Sequence, residues 1–130
     1  MALEFHCDLV GGDRISAPRE TRKHTGIDVE CRPLSHVRCG VAGLVTEHGY
    51  CHDDDHSWRF VQVTDWNGMR HRFNYVEPVV RIGEVVTPGA PIGVAQDATR
   101  RFPGQELLPF VRYEVLTEAG EFLDPVEVVG

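Results

Sequence analysis

The chain has 130 residues, a length that fits a single domain able to bury a hydrophobic core. Its hydrophobic fraction of 42% and charged fraction of 25% are ordinary for a globular protein. No apolar run approaches the roughly 18 residues of a membrane-spanning helix. The net charge of −7 argues against a nucleic-acid partner, because binding to phosphates needs a basic surface.

The N-terminal stretch MALEFHCDLVGGD has an early acidic residue and no basic leader, so we do not predict a secretory signal. We expect residues 1–130 to form one domain, with residues 1–13 as an N-terminal extension. The expected location is the cytoplasm at synthesis. Any role outside the cell would then need another export route, such as assembly into a virion.

Strand signals dominate the chain. Seven short segments are rich in Val, Ile, Phe and Tyr and are separated by Gly, Pro, Asn and Asp. They are GIDVEC, HVRCGVAGLV, WRFVQVTDW, MRHRFNYV, VVRIGEVV, FVRYEVL and EFLDPVEVV. Alternation in the third segment places Val61 and Val63 on one face and Phe60 and Gln62 on the other. Because no segment keeps helical periodicity for more than about two turns, we predict an all-β domain of sandwich or partly closed barrel type.

Two turn patterns support this prediction. WNGM contains Asn67-Gly68, a strong signal for a tight hairpin. The run VVRIGEVVTPGAPIG predicts tight turns between very short strands. Its valines and glycines recur at three-residue intervals, at Val80, Gly83, Val86 and Gly89. Biotinyl and lipoyl carrier domains have similar runs but need a hairpin lysine, and the only lysine of this chain is Lys23.

The four cysteines form no C-x-x-C pair, which argues against a zinc knuckle or a thioredoxin-type site. They are Cys7, Cys31, Cys39 and Cys51. Cys31 and Cys39 flank the short stretch RPLSHVR and could face each other across a hairpin. A disulfide there requires an oxidising environment, and the alternative is that the cysteines are small buried thiols.

The stretch HTGID sets His24 and Asp28 four residues apart around Gly26. Imidazole nitrogen and carboxylate oxygen are both normal zinc ligands. On a straight strand these two residues lie about 13 Å apart, so a shared metal requires a bend, which we place at Gly26. Such a short motif is weak evidence by itself, and a surface turn is the alternative.

From about residue 14 to its end, the chain resembles the lysostaphin/LytM-type zinc endopeptidases that cut peptidoglycan cross-bridges. DRISAPR resembles the segment before the metal motif, and HTGID is similar to the family's His-x-Gly-x-Asp. HVRCGVAGLV resembles the next hairpin, and NGMRHRFNY lies where an Asn-Gly turn leads into Tyr-x-His. VVRIGEVVTPGAPIG matches the family's glycine run without gaps. VRYEV and FLDPVEVV resemble the closing His-x-His-Phe-Glu-Val and Asp-Pro. The resemblance implies a LytM-like antiparallel β-sandwich, of the barrel-sandwich type with a duplicated hybrid motif, and a groove on one face.

The resemblance fails at the residues that carry the chemistry. It implies zinc ligands at His24 and Asp28, but the third ligand position falls on Arg112. At the positions of the histidines that assist the activated water, this chain has Phe110 and either Asn74 or Tyr75. A guanidinium has no lone pair to offer and stays protonated, so it would repel a divalent cation. We therefore hypothesise that the metal site is vestigial and that Arg112 replaces the metal by pairing with Asp28.

The stretch CHDDDHS is the rival metal candidate, because its Cys51, His52, His56 and three aspartates could hold a cation. It could also supply His52 or His56 as a substitute third ligand beside His24 and Asp28. The alternative is a solvated loop between strands. His71 lies near the Tyr-x-His position, but alternation would turn it to another face. Other histidines are interpreted as surface or hairpin residues: His6, His36 and His48. Four aromatic residues are interpreted as core or groove residues: Trp58, Phe60, Trp66 and Phe73.

These observations favour a non-catalytic LytM-like module with a structural or cell-wall-binding role, for example in a phage tail or virion. Its expected partners are peptidoglycan or other proteins of a larger assembly, and no cofactor is expected. The alternative is an active zinc endopeptidase whose substitute ligands come from His52, His56 or Cys51. A phosphotransfer domain of the sugar-uptake IIA type comes third. That chemistry needs two neighbouring histidines, and only His24 is in a recognisable place.

Overall fold

The computed structural model describes residues 26–123 and the backbone of residues 5–7. The described chain is almost entirely β-structure. Its strands are β1 (Phe5–Cys7), β2 (Ile27–Glu30), β3 (His36–Cys39), β4 (Gly43–His52), β5 (Asp55–Asp65), β6 (Arg70–Asn74), β7 (Val76–Pro78), β8 (Val85–Val86), β9 (Pro91–Ala95), β10 (Phe110–Leu116) and β11 (Phe122–Leu123). A short 3₁₀ helix covers Ala98–Arg101. In the part of the chain described here, no helix has the length and hydropathy needed to span a bilayer.

The strands form two sheets. The smaller sheet has the order β1-β3-β9-β7. The larger has seven strands in the order β11-β10-β6-β5-β4-β8, and β2 also pairs with β10. Every pairing is antiparallel, which confirms the predicted all-β antiparallel fold.

The hydrophobic core lies between the two sheets. Val61 and Val63 of β5 are fully buried there, as their alternation predicts. Phe73 of β6 packs in the same cluster, which Val37 and Ile92 join from the smaller sheet. Each such side chain contributes roughly 1.5–3 kcal/mol by leaving water. Because this face of the larger sheet is covered by the smaller sheet, the residues that alternate with the core valines form the opposite face.

Two predicted segments are divided differently in the structure. HVRCGVAGLV is not one strand, because β3 belongs to the smaller sheet and β4 to the larger. The chain crosses between the sheets at residues 40–42, and Gly43 then lies so close to the backbone of Thr64 that a side chain would clash. In VVRIGEVV only Val85–Val86 are strand, because the chain turns at Gly83 with a φ of +94°.

The stretch CHDDDHS is a hairpin and not a free loop. Strand β4 continues to His52 and β5 begins at Asp55, so only the two residues 53–54 form the turn. The backbone hydrogen bonds of the ladder therefore extend almost to the tip. The prediction of a solvated loop holds only for that tip, where Asp53 and Asp54 are exposed.

The Asn67-Gly68 turn joins β5 to β6, as predicted. Gly68 has a φ of +87°, a conformation that glycine adopts without strain. The Asp65 carboxylate accepts hydrogen bonds from the backbone N–H of Asn67 at 2.9 Å and of Met69 at 3.0 Å, which fixes the turn.

The predicted strand MRHRFNYV ends early. Tyr75 has a φ of +68°, and the chain then enters β7 in the smaller sheet. Of the predicted strand EFLDPVEVV, Phe122–Leu123 form β11, and residues 124–130 lie outside the described residues. Within the predicted N-terminal extension, Phe5–Cys7 pair with β3.

The predicted hairpin between Cys31 and Cys39 is wrong. Strand β2, which precedes Cys31, pairs with β10, whereas β3 carries Cys39 and pairs with β1 and β9. Cys31 is disulfide-bonded, but Cys39 is a free thiol buried in the core. The two cysteines are therefore not bonded to each other. Cys51 is also a free thiol.

Candidate functional site

A groove of about 280 Å³ lies on the face of the larger sheet that points away from the core. It is lined by Tyr50, Cys51, His52, Phe60, Arg72, Asn74, Tyr75, Arg112, Glu114 and Phe122. Most of these residues come from β4, β5, β6 and β10. The groove thus combines aromatic rings with charged and amide side chains, the mixture that small-molecule and peptide sites use.

The strand register places the predicted site residues in one row. Asp28 of β2 lies directly opposite Arg112 of β10, and Arg112 lies opposite Asn74 of β6 on its other side. The Nη1 atom of Arg112 donates a hydrogen bond to Oδ1 of Asp28 at 3.1 Å. Both residues are buried, at 8% exposure each. The hypothesised pair of Arg112 with Asp28 is therefore present.

A second carboxylate, that of Glu114, also faces Arg112. The Nε atom of Arg112 lies 3.8 Å from Oε2 of Glu114. The side-chain amide of Asn74 donates to Oε1 of Glu114 at 2.7 Å and to the backbone carbonyl of Arg112 at 3.1 Å. Sequence analysis missed the role of Glu114, although its position two residues after Arg112 on the same strand face was a usable signal.

Gly26 packs directly against Arg112 and Glu114. A Cβ atom at residue 26 would lie 2.8 Å from Cγ of Glu114, 2.8 Å from the carbonyl oxygen of Tyr113 and 3.2 Å from Cζ of Arg112. Only a residue without a side chain fits there. His24 lies outside the described residues, so the predicted bend that would bring it to Asp28 stays a prediction.

The described residues do not fit the zinc site of a LytM-type peptidase. Arg112, which the sequence resemblance aligns with the third ligand, offers no lone pair and already bonds the carboxylate of Asp28. Among residues 26–123, no three His, Cys, Asp or Glu side chains are grouped closely enough to hold a metal ion. A divalent cation at Asp28 would have to displace the guanidinium, and both groups would then lose a charge-assisted hydrogen bond.

The residues that the resemblance aligns with the assisting histidines belong to an aromatic cluster or carry an amide. Phe110 is 1% exposed and packs with Tyr75, Trp58 and Ala98. The ring centroids of Tyr75 and Phe110 lie 5.6 Å apart in an edge-on arrangement. Asn74 binds Glu114, as described above. Neither Asn74 nor the hydroxyl of Tyr75 is a base near neutral pH, so neither replaces an imidazole in proton transfer.

The histidines of the β4–β5 hairpin have different surroundings. His52 lines the groove, and its Nε2 atom lies 2.9 Å from the hydroxyl of Tyr75. His56 is exposed and stacks on the ring of Tyr50 with centroids 4.2 Å apart. Their role as substitute ligands stays a prediction.

Cys51 lies in the groove but is protonated near neutral pH. Burial raises the pKa of its thiol to about 11. The Sγ atom donates a hydrogen bond to the backbone carbonyl of Arg59 at 3.1 Å. Because metal ligation and nucleophilic attack both require the thiolate, Cys51 is poorly suited to either.

His71 lies on the core side of the sheet, as its alternation predicts. It is fully buried, with Nε2 at 2.9 Å from Oδ2 of Asp65 and Nδ1 at 2.7 Å from the hydroxyl of Tyr113. Burial lowers the pKa of its imidazole below the usual 6.5, although the contact with Asp65 acts in the opposite direction. His71 therefore has no access to the groove.

The remaining predicted residues have the following positions. Trp58 and Phe73 are buried, and Phe60 lines the groove. Trp66 is neither a core nor a groove residue, because it lies in the β5–β6 turn and is 65% exposed. His36 is exposed and His48 is half-buried, whereas the side chain of His6 lies outside the described residues.

No protein-family model and no curated protein sequence matches the chain. Solved structures do match it. Csd3 from Helicobacter pylori has a TM-score of 0.71 at 17% identity, over 99% of this chain and 35% of that chain. Lysostaphin from Staphylococcus simulans, an antimicrobial peptidase, has a TM-score of 0.66 at 16% identity, over 96% of this chain and 49% of that chain. The catalytic domain of the prophage-encoded M23 protein EnpA from Enterococcus faecalis has a TM-score of 0.66 at 18% identity, over 97% and 92%.

These similarities confirm the fold that the sequence resemblance implied. The chain has the fold of LytM-type peptidase domains, over nearly its whole length. It spans 35% of the Csd3 chain and 49% of the lysostaphin chain, so it is comparable with part of each protein. At identities below 20%, the comparison concerns the fold and leaves the chemistry to the site residues.

Proposed function

We propose that the chain is a non-catalytic module with the LytM-type peptidase fold, whose role is structural or cell-wall-binding. Its partners would be peptidoglycan or other proteins of a larger assembly. The observation that carries this proposal is the ion pair between Arg112 and Asp28. It joins the residue at the third ligand position to one of the two ligands that the motif retains.

The chemistry of hydrolysis supports a non-catalytic role. A zinc peptidase needs three protein ligands, a metal-bound water and a base or acid to move protons. Here the candidate positions beyond His24 and Asp28 hold Arg112, Phe110 and Asn74, none of which offers the basic nitrogen of a neutral imidazole. Loss of the ligand and of both assisting groups removes metal binding and proton transfer together.

The groove remains suitable for binding without cleavage. Its volume of about 280 Å³ matches a short peptide segment or one sugar ring better than a large cofactor. Aromatic side chains such as Phe60 and Tyr75 offer apolar contact, and Arg72 offers hydrogen-bond donors. A role within a phage tail or virion stays a prediction, with which the likeness to a prophage-encoded domain agrees.

The test of this proposal is the zinc content of the untagged protein after dialysis against a mild chelator. We expect much less than one zinc per chain and no release of fragments from purified peptidoglycan. The Arg112→His variant restores the missing ligand type beside Asp28, so we expect it to retain substantially more zinc than the wild type. Zinc measured by atomic emission and sedimentation with insoluble peptidoglycan are the two readouts.

Arg81→His is the matched control, because it adds a histidine at an exposed position outside the groove. We expect its zinc content to equal that of the wild type. Retention of about one zinc per wild-type chain, with peptidoglycan cleavage that the Asp28→Asn variant abolishes, would overturn the proposal in favour of an active endopeptidase. His52 and His56 would then be the first substitute ligands to replace.

A further inference from the structure

We propose that Arg72 is the anchor of the groove for a carboxylate group, and that the ligand is a peptide carrying a free carboxylate. This inference rests on the proposed binding function. It goes further by assigning a class of ligand and the residue that binds its carboxylate. Arg72 is a groove-lining residue on β6, one row away from the Asp28–Arg112–Asn74 row.

The guanidinium of Arg72 is held in place from two directions. Its Cζ atom lies 4.9 Å above the ring centroid of Phe60. Its Nη2 atom donates to Oε1 of Gln62 at 2.8 Å, and Nε2 of Gln62 in turn donates to Oγ1 of Thr46 at 3.1 Å. An arginine fixed in this way loses little side-chain entropy when it binds a ligand, which is the advantage of a preorganised site.

The donors of Arg72 are not used up by the protein. Glu114 lies directly opposite Arg72 in the register, but its carboxylate binds Asn74 and Arg112 instead. Within residues 26–123, no carboxylate lies at ion-pair distance from Arg72. Its Nε atom is shielded from solvent and has no hydrogen-bond acceptor in the part of the chain that the structure describes. An unsatisfied buried donor is unfavourable, so an acceptor that reaches this N–H from the groove would be stabilised.

The other arginine of the groove differs in this respect. Arg112 is bonded to Asp28 and lies close to Glu114, so its charge is already compensated. Arg59, on the neighbouring hairpin, lies 3.5 Å from Glu77. Unlike Arg112 and Arg59, Arg72 therefore has a positive charge that the carboxylate of a ligand could compensate. A charge-assisted, bidentate contact between guanidinium and carboxylate is among the strongest polar contacts available to it.

The surroundings favour one carboxylate over a polyanion. Glu114 lines the same groove, and the whole chain has a net charge of −7, so a nucleic acid or polyphosphate would be repelled. The rings of Tyr75 and Phe122 face the groove and can contact an apolar side chain of the ligand. A short peptide ending in a carboxylate meets both conditions.

The test compares two synthetic ligands, N-acetyl-Ala-Ala-Ala with a free carboxylate and the same tripeptide as its C-terminal amide. Binding is measured by calorimetry and by the NMR signal of the Arg72 side-chain N–H. We expect the acid to bind at least ~10-fold more tightly than the amide and to shift that signal. Arg72→Gln should remove this preference, Arg72→Lys should retain part of it, and Arg81→Gln at an exposed site should leave it unchanged.

The outcomes separate this inference from the proposed function. Equal binding of acid and amide to the wild type, or an unchanged preference in a folded Arg72→Gln variant, would overturn the assignment of Arg72. The proposed function would still stand if intact peptidoglycan bound without being cleaved. Unfolding of Arg72→Gln leaves the comparison of the two ligands on the wild-type protein and its Arg72 signal as the decisive measurement.

Discussion

Cys51 lies in the groove next to His52, and the sequence names both as possible substitute zinc ligands. Burial raises the pKa of its thiol to about 11, and the Coulombic effect of Glu114 acts in the same direction. We predict that iodoacetamide at pH 8 alkylates Cys51 in the folded protein roughly a hundredfold more slowly than a free thiol of ordinary pKa. Mass spectrometry of peptides over time measures this.

The unfolded protein provides the control for this prediction, because its Cys51 should react at the ordinary rate. Cys39 should behave like Cys51 in the folded state, since burial also raises the pKa of its thiol to about 11. Rapid alkylation of Cys51 in the folded protein would contradict the assignment of a protonated thiol and would reopen a role for this residue as a ligand or nucleophile.

Contacts of single residues could be predicted from the sequence where they depend on the chemistry of the side chains themselves. The pairing of Arg112 with Asp28 could be predicted because the sequence resemblance placed a cationic side chain beside a carboxylate. The role of Arg72 was missed, since it depends on Gln62 and Phe60 of a neighbouring strand. The positive φ of Tyr75 was also missed, because no local signal identifies a bulky residue forced into that conformation by its surroundings.

Among the structural elements, strand β9 shows how closely the smaller sheet is packed. Gly93 lies opposite Val37 and Pro78, and a Cβ atom there would clash with a methyl of Val76 and with the carbonyl oxygen of Glu77. We predict that Gly93→Ala lowers the free energy of unfolding by about 3 kcal/mol, because a backbone atom cannot move aside as a flexible side chain can. Urea denaturation measures the loss.

Gly104→Ala is the control for this effect. Gly104 has a φ of +86° but nothing within 4 Å of its Cβ position, so the substitution tests the conformational cost alone, about 1 kcal/mol. Equal losses for the two variants would show that the steric account of Gly93 is wrong.

Strand boundaries were predicted less well than strand identity. Alternation identified the core face of β5 through Val61 and Val63, and the Asn-Gly turn identified the β5–β6 hairpin. Nothing local in HVRCGVAGLV separates β3 from β4, because the break arises where the chain leaves one sheet for the other. Pairing between strands distant in sequence decides such breaks, and the local pattern of residues does not reveal it.

For the whole molecule, the buried imidazole of His71 and the neighbouring carboxylate of Asp65 make stability depend on pH. Burial lowers the pKa of His71 below 6.5 in the folded state, so below pH 6.5 the unfolded chain takes up a proton that the folded chain does not. Burial alone would raise the pKa of Asp65, but hydrogen bonds from His71 and from the N–H groups of Met69 and Asn67 lower it below its usual 3.8. Both groups therefore make the fold less stable as pH falls, His71 below 6.5 and Asp65 below 3.8.

We predict that the melting temperature falls as pH decreases from 6.5 to 5, and that His71→Gln flattens this part of the curve because it removes the titrating group. His36→Gln, at an exposed position, should leave the curve unchanged. Scanning calorimetry at a series of pH values provides the measurement. A His71→Gln curve as steep as that of the wild type would contradict the prediction.

The packing around Gly26 changes what the motif HTGID reveals about this protein. Glu114, Tyr113 and Arg112 leave room at residue 26 only for a hydrogen atom. Arg112 is one of these close neighbours although its side chain cannot bind a metal ion. The glycine between His24 and Asp28 is thus a requirement of the assembled sheet and is independent of metal. A surviving His-x-Gly-x-Asp signature therefore reflects the packing of the sheet, and the residue opposite Asp28 on the neighbouring strand, Arg112, decides whether metal chemistry can accompany it.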